Sequence, residues 1–187
     1  MLLSFVLNFI TMYEVNSIIE NILEEHKSII KGDYDTYKNH VYRVFSFCLK
    51  LDATEVNNDK YAIAAAFHDL GIWTHHTFDY LQPSIENVIN YLEKTGKHEW
   101  KNEISAMIDM HHKISTYSGP YQQTVENFRC ADWIDVTKGI KKFKLAKSTI
   151  IEIQRKFPFL GFHIFLLKQS ASYFFKHPFN PLPMFKR

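Results

Sequence analysis

The chain has 187 residues, a formal net charge of +2, 46% apolar residues and 22% charged residues. These values fit one globular domain with a real core and exclude a disordered chain. Gly and Pro number only six each and Cys two (Cys48 and Cys130), which is too few turn residues for an all-β fold and too few thiols for a disulfide scaffold, so a helical, cytoplasmic protein is expected.

Residues 1–13 are apolar but lack the basic start and small-residue cleavage site of a signal peptide, and are read as an apolar arm. No uncharged run reaches the ~18–20 residues that span a bilayer. Residues 14–30 follow helical spacing through Ile18, Ile19, Ile22, Leu23, Ile29 and Ile30, with Gly32 placed to cap the end. A second helix is expected over 36–51, with Tyr37, Val41, Val44, Phe45, Cys48 and Leu51 inward. Asn57, Asn58 and Asp59 predict a turn and cap before a helix over 61–69, which Gly71 ends. Pro83 opens the next helix and Gly96 closes it. Trp100, Ile104, Met107, Ile108 and His111 form another stripe. After the Ser118-Gly119-Pro120 loop, Val125, Phe128 and Asp132 share one face of a helix that runs to about residue 136. Thr149 and Glu152 have capping-box spacing, and Pro158 and Gly161 precede a last helix near 162–176. The three prolines of 177–187 predict an extended tail. The expectation is an all-α, single-domain bundle of seven or eight helices over 14–176.

Charge is unevenly spread. Residues 1–137 hold 11 basic and 19 acidic residues, whereas 138–187 hold 11 basic residues and one acidic residue, Glu152. The lysines at 138, 141, 142, 144 and 147 are the densest part. Such a tract is either a solvated face or an attractor of polyanions such as a phosphorylated substrate or an anionic membrane surface. No RNA-recognition or zinc-finger pattern favours nucleic acid.

Four polar residues fall where the core is expected. His40 is in phase with Tyr37, Val41 and Val44; His68 and Asp69 end an otherwise apolar helix; Asp132 is in phase with Val125 and Phe128. Buried imidazoles and carboxylates need partners, and one divalent cation would serve all four. Two nitrogen and two oxygen donors without a thiolate argue against a structural zinc site. They suit an octahedral ion with open positions: Mn²⁺, Fe²⁺, Co²⁺, Ni²⁺ or Mg²⁺.

The order His40, then His68-Asp69, then Asp132, each on a helix, resembles the HD-domain superfamily of metal-dependent phosphohydrolases. The segments Asn39-His40-Val41-Tyr42-Arg43-Val44, Ala65-Ala66-Phe67-His68-Asp69-Leu70-Gly71 and Arg129-Cys130-Ala131-Asp132 carry the likeness. The resemblance implies an all-α enzyme that hydrolyses a phosphate ester of a small molecule, such as a nucleotide, with His40, His68, Asp69 and Asp132 as metal ligands. A homo-oligomer is compatible with it. Two-metal members typically carry a further His at the start of the helix after the His-Asp pair, where this chain reads Leu81-Gln82-Pro83-Ser84. His111-His112 does match another two-metal position, and His75 and His76 are loop candidates, yet the balance favours a single ion over a two-metal, oxygenase-type site. Asp69 is then expected to orient or deprotonate the attacking water, and His111 to protonate the leaving oxygen or hold phosphate. Arg43, one turn after His40, together with His112, Lys113 and Lys138, is expected to hold the phosphate, with Lys138 at the mouth of the site. A non-catalytic nucleotide-binding or signalling domain is the alternative.

Overall fold

The computed structural model describes residues 15–176. Asn16 caps the first helix, its side chain accepting the backbone N–H groups of Ile18 and Ile19 at 3.0 and 3.1 Å, so α1 is Ser17–Ile30 and starts later than the periodicity implied. Gly32 is not its cap. Lys31 adopts the positive φ of 56° instead, and a short 3-10 turn leads directly into α2, Tyr34–Leu51. Asn57 precedes α3, Asn58–Phe67, but its side chain donates to Asp52 rather than capping the helix.

Helix α3 is buried on every side from Tyr61 to Phe67. Its alanines at 62, 64, 65 and 66 let α1, α2, α5 and α6 close around it. It ends at Phe67, so His68 and Asp69 lie in the turn beyond, inside the bundle. Gly71 does not terminate this helix. It begins a one-turn helix, α4 (Gly71–Thr74), where a Cβ would meet the Tyr80 carbonyl and the first turn of α5.

Helix α5 is Leu81–Lys94, with Pro83 in its first turn. Gly96 (φ +71°) closes it as expected: the Lys97 N–H reaches the Leu92 carbonyl at 2.8 Å and the Gly96 N–H that of Glu93, a Schellman ending. Next come α6, Lys101–Met110; α7, Gln122–Val136; α8, Lys147–Lys156; and α9, Phe162–Lys176. Helix α8 starts at Lys147 with Ala146 before it and no side-chain cap. Thr149 therefore sits inside the first turn, and the expected capping box does not form.

No strand occurs among the described residues. Among the described residues, eight helices of ten residues or more, plus α4, make the all-α bundle expected from the sequence. Helix α7 lies along α2, α6 bridges α5 and α7, and α8 and α9 lie against α2. The expected arm at 1–13 and tail at 177–187 lie outside the described residues.

Candidate metal centre

Helices α2, α3 and α7 bring His40, His68, Asp69 and Asp132 together, and all four are buried. The orientation of each ring follows from its outer nitrogen. His68 Nδ1 lies 2.8 Å from the Ala65 carbonyl and His111 Nδ1 lies 2.6 Å from that of Ile108. A carbonyl only accepts, so in both rings Nδ1 carries the proton and Nε2 faces inward as a bare lone pair when the ring is neutral. His40 Nδ1 lies 2.6 Å from Asp135 Oδ2, which sets the same tautomer.

The inward nitrogens of His40 and His68 are 2.9 Å apart. Two lone pairs at that distance repel, so something positive must lie between them: a proton or a metal ion. Both nitrogens are 3.4 Å from Asp69 Oδ2 and 3.8 Å from Asp132 Oδ1. Neighbouring donors of an octahedral ion, each ~2.1 Å from it, stand about 3.0 Å apart, so His40, His68 and Asp69 could hold one divalent cation, with Asp132 just outside that group. Asp69 Oδ1, His111 Nε2 and both Asp132 oxygens are buried without a hydrogen-bond partner among the described residues. Buried polar atoms of this kind normally have one.

Donor atoms of Asp69, His111 and His112 also lie within 4.8 Å of one another, as do those of His40, His68 and Asp69. Asp69 is common to both groups. Its Oδ2 faces His40 and His68, while its Oδ1 is 3.5 Å from His111 Nε2. Asp132 behaves in parallel, with Oδ1 toward the first group and Oδ2 3.4 Å from His112 Nδ1. Each of these groups of three could hold a metal ion, and Asp132 borders both without belonging to either. His111 and His112 thus lie with Asp69 in a donor group of their own, beside the one that contains His40 and His68. His75 and His76 are exposed and do not join either group; His75 bonds Thr74, and His76 lines a separate surface cavity.

The protonation pattern of the ion-free cluster reflects crowding. Burial disfavours a charged His40, but the hydrogen bond with Asp135 and the adjacent Asp69 carboxylate outweigh it and raise the ring to about 9. Burial holds His68 down to about 3, against the pull of Asp69 and with help from the charges of His40 and His111. Desolvation pushes Asp132 up, whereas the surrounding imidazoles hold Asp69 well below the usual carboxylate range despite its burial. The cluster thus holds one imidazole raised and its neighbour lowered, the pattern of titratable groups crowded together in the core.

Asp135 is the main residue that sequence reasoning missed. It accepts from His40 and, in a fork, from Arg43 Nε at 2.5 Å and Nη2 at 3.0 Å. Arg43 is fully buried; its Nη1 donates to the Phe157 and Pro158 carbonyls, and Phe159 stacks on the guanidinium at 4.3 Å. With these donors committed inside the protein, Arg43 is not a phosphate clamp but the anchor of the carboxylate that orients His40. Tyr80, also missed, has its hydroxyl 2.6 Å from His112 Nε2. The ring of Phe162 stacks on that of His40 at 3.9 Å between centroids.

Lys113 is half-buried next to His112, and its carbonyl accepts from Arg129 and from Trp133 Nε1. Lys138 is exposed, with its ammonium 5.9 Å from the Phe159 ring centroid. That places it at the Asp135 end of α7, and no contact joins it to the donors of the cluster among the described residues. Lys141 instead lies 3.8 Å over the ring of Trp133.

No family model matches the chain, and no curated protein or solved structure matches it either.

Proposed function

We propose that the chain is a metal-dependent phosphohydrolase of the HD type, acting on a phosphate ester of a small molecule such as a nucleotide. The observation that carries this reading is the convergence of bare imidazole nitrogens on two buried carboxylates, with each outer ring nitrogen of His40, His68 and His111 already engaged. The motif order supports the same family. Bound divalent ions supply Lewis acidity there, lowering the pKa of a water and drawing charge from a phosphoryl oxygen. His40, His68, Asp69 and Asp132 would hold one ion, and Asp69, His111, His112 and Asp132 a second. Asp69, whose two oxygens face the two donor groups, would orient the attacking water. Asp135 and Arg43 keep His40 in its ligating tautomer, and Tyr80 holds His112.

The test is to strip the protein, reload it with Mn²⁺, Fe²⁺, Co²⁺, Ni²⁺ or Mg²⁺, and follow phosphate release from a panel of nucleotides and sugar phosphates. Metal-dependent release that Asp69→Ala abolishes is the expected result. Full metal occupancy with no release across the panel refutes hydrolysis and leaves a binding domain. Two irons with dioxygen consumption and no phosphate release would assign an oxygenase-type activity instead.

A further inference from the structure

Helix α9 is apolar on both sides. Its inner side lies on the bundle: Phe162 covers His40, Phe165 stacks on Trp73 at 5.3 Å, and Tyr173 lies beside Phe78. Its outer side holds Ile164, Leu167, Phe174 and Phe175, which are 61%, 70%, 48% and 82% exposed. These positions follow i, i+3, i+10 and i+11, so they form one stripe, with exposed Ala171 and Lys168 along it. Exposed Leu160, in the turn before the helix, extends the row. Single exposed apolar residues are ordinary. A contiguous row about 17 Å long, on a helix whose packed face is already satisfied, marks an interaction surface.

Charge selects the occupant. Beyond Glu152 the sequence contains no acidic residue, while Arg155 and Lys156 lie exposed at the end of α8 and Lys168 lies within the stripe. Asp33 lines the groove bordered by Leu160, Ile164 and Lys168, but it is half-buried and accepts from Trp73 Nε1, so the exposed charge along the stripe is that of Lys168, which a second copy docked through the same face would duplicate. A lipid surface takes both features at once, the acyl boundary receiving the apolar row and anionic headgroups the Lys and Arg side chains. The helix has 15 residues, and no helix among the described residues is long and apolar enough to cross a membrane. It would therefore lie in the interface plane rather than span it.

We propose that α9 docks through Leu160, Ile164, Leu167, Phe174 and Phe175 on an anionic membrane surface, with Arg155, Lys156 and Lys168 at the headgroups. Because Phe162 on the opposite side of the same helix covers His40, docking sets the bilayer about one helix diameter, ~10 Å, from the metal centre. The inference does not rest on hydrolysis and stands or falls separately from it.

The test is co-sedimentation of the full chain with vesicles of phosphatidylcholine alone and of phosphatidylcholine with about 30% phosphatidylserine. The expected result is binding to the phosphatidylserine vesicles that weakens as salt rises, with much weaker binding to phosphatidylcholine alone. Leu167→Gln with Phe175→Gln should lower the partition coefficient at least about tenfold, with helix content and melting temperature unchanged because both side chains point outward. Arg155→Glu with Lys156→Glu and Lys168→Glu is the second variant, and should remove the preference for phosphatidylserine. Failure of the full chain to bind phosphatidylserine vesicles overturns the proposal, as does equal binding to both lipids. Binding that survives both variants assigns the affinity to another part of the chain and also overturns it. A concentration-dependent dimer that the Leu167/Phe175 variant dissolves, without vesicle binding, would make the occupant a second copy.

Discussion

Asp135→Asn is the most informative single change at the centre, because it alters one charge and almost no volume. The carboxylate accepts three N–H groups: Oδ2 takes His40 Nδ1 at 2.6 Å and Arg43 Nη2 at 3.0 Å, and Oδ1 takes Arg43 Nε at 2.5 Å. An amide offers one acceptor and one donor. With its NH₂ in the Oδ2 position it would face two N–H groups, so the amide should turn its NH₂ toward Arg43 Nε and keep its oxygen for His40. His40 then keeps its tautomer but loses an anionic acceptor, which makes Nε2 a weaker ligand. Loss of such an orienting carboxylate typically lowers metal affinity about 10–100-fold, or ~1.4–2.7 kcal/mol. Arg43, fully buried, is left with a donor facing a donor, and breaking a buried pair of this kind costs about 3–5 kcal/mol when a partner is removed outright. The expected outcome is therefore a weaker site in a clearly less stable protein. Competition against a chelating dye gives the affinity, and thermal melting with and without metal gives the stability. Affinity within about threefold of the unsubstituted protein would refute the assignment of Asp135 as the orienting group, since that falls below the whole range such groups contribute.

His40 links metal and proton. Its ion-free value of about 9 lies above the ordinary 6.5, so its contribution to stability is fully present below pH 6.5 and is lost as pH rises through 9, about 3 kcal/mol in all. Melting of the chelator-treated protein should fall across that window, while metal affinity rises because the ligating ring must be neutral; calorimetry in two buffers of different ionisation enthalpy should show proton release on binding at pH 7. His111→Ala with His112→Ala should leave one ion per chain by elemental analysis where the proposed arrangement gives the unsubstituted protein two, whereas His68→Ala should remove the first ion and leave most helix content by circular dichroism. Equal metal content in all three proteins would refute the two-group arrangement. Arg43→Met should lower the melting temperature strongly, because Asp135 would keep its buried charge without its main partner; a change below about 1 kcal/mol would show that the pair is not structural.

The inward faces were legible because helical period assigns them: His40 among Tyr37, Val41 and Val44, and Asp132 among Val125 and Phe128. What periodicity does not report is which residue on one helix meets which on another. His40 and Arg43 are three apart on α2, Asp132 and Asp135 three apart on α7, and the two pairs face each other across the same contact. An inward acid one turn after Asp132 was the available signal for Asp135, visible once the outer nitrogen of His40 is asked for its acceptor. Adjacent ligands posed a second difficulty, since neighbours on an ideal helix point ~100° apart. Both pairs escape this in the same way: His68-Asp69 follows the end of α3 and His111-His112 follows the end of α6. The turns misread at Gly32, Gly71 and Thr149 share a feature. Each has a standard helix-boundary signature; at Gly71 the close approach of Tyr80 and the first turn of α5 needs the glycine for packing, while at Gly32 and Thr149 the boundary falls one or more residues earlier.

The seal over the donors is uneven, and this bears on how a phosphate would reach them. His40, His68, Asp69, His111 and Asp132 are buried, with Phe162 of α9 laid flat on His40. Within the cluster His112 is the side chain that keeps contact with solvent, 12% exposed against 0–3% for the others. The turn carrying His112 and Lys113 is tied to α7 by the bonds of Arg129 and Trp133 to the Lys113 carbonyl, and Lys141 rests on the outer face of Trp133. Lys141 of the basic tract is thereby set beside the His112 turn, through Trp133. Steering by the lysine tract should act through Lys141 rather than Lys138, whose ammonium is drawn to Phe159 at the Asp135 end. On this geometry the two edges of the centre are not equivalent. The His112 edge is aromatic and partly wet, while the His40 edge is closed by a helix whose other side is apolar.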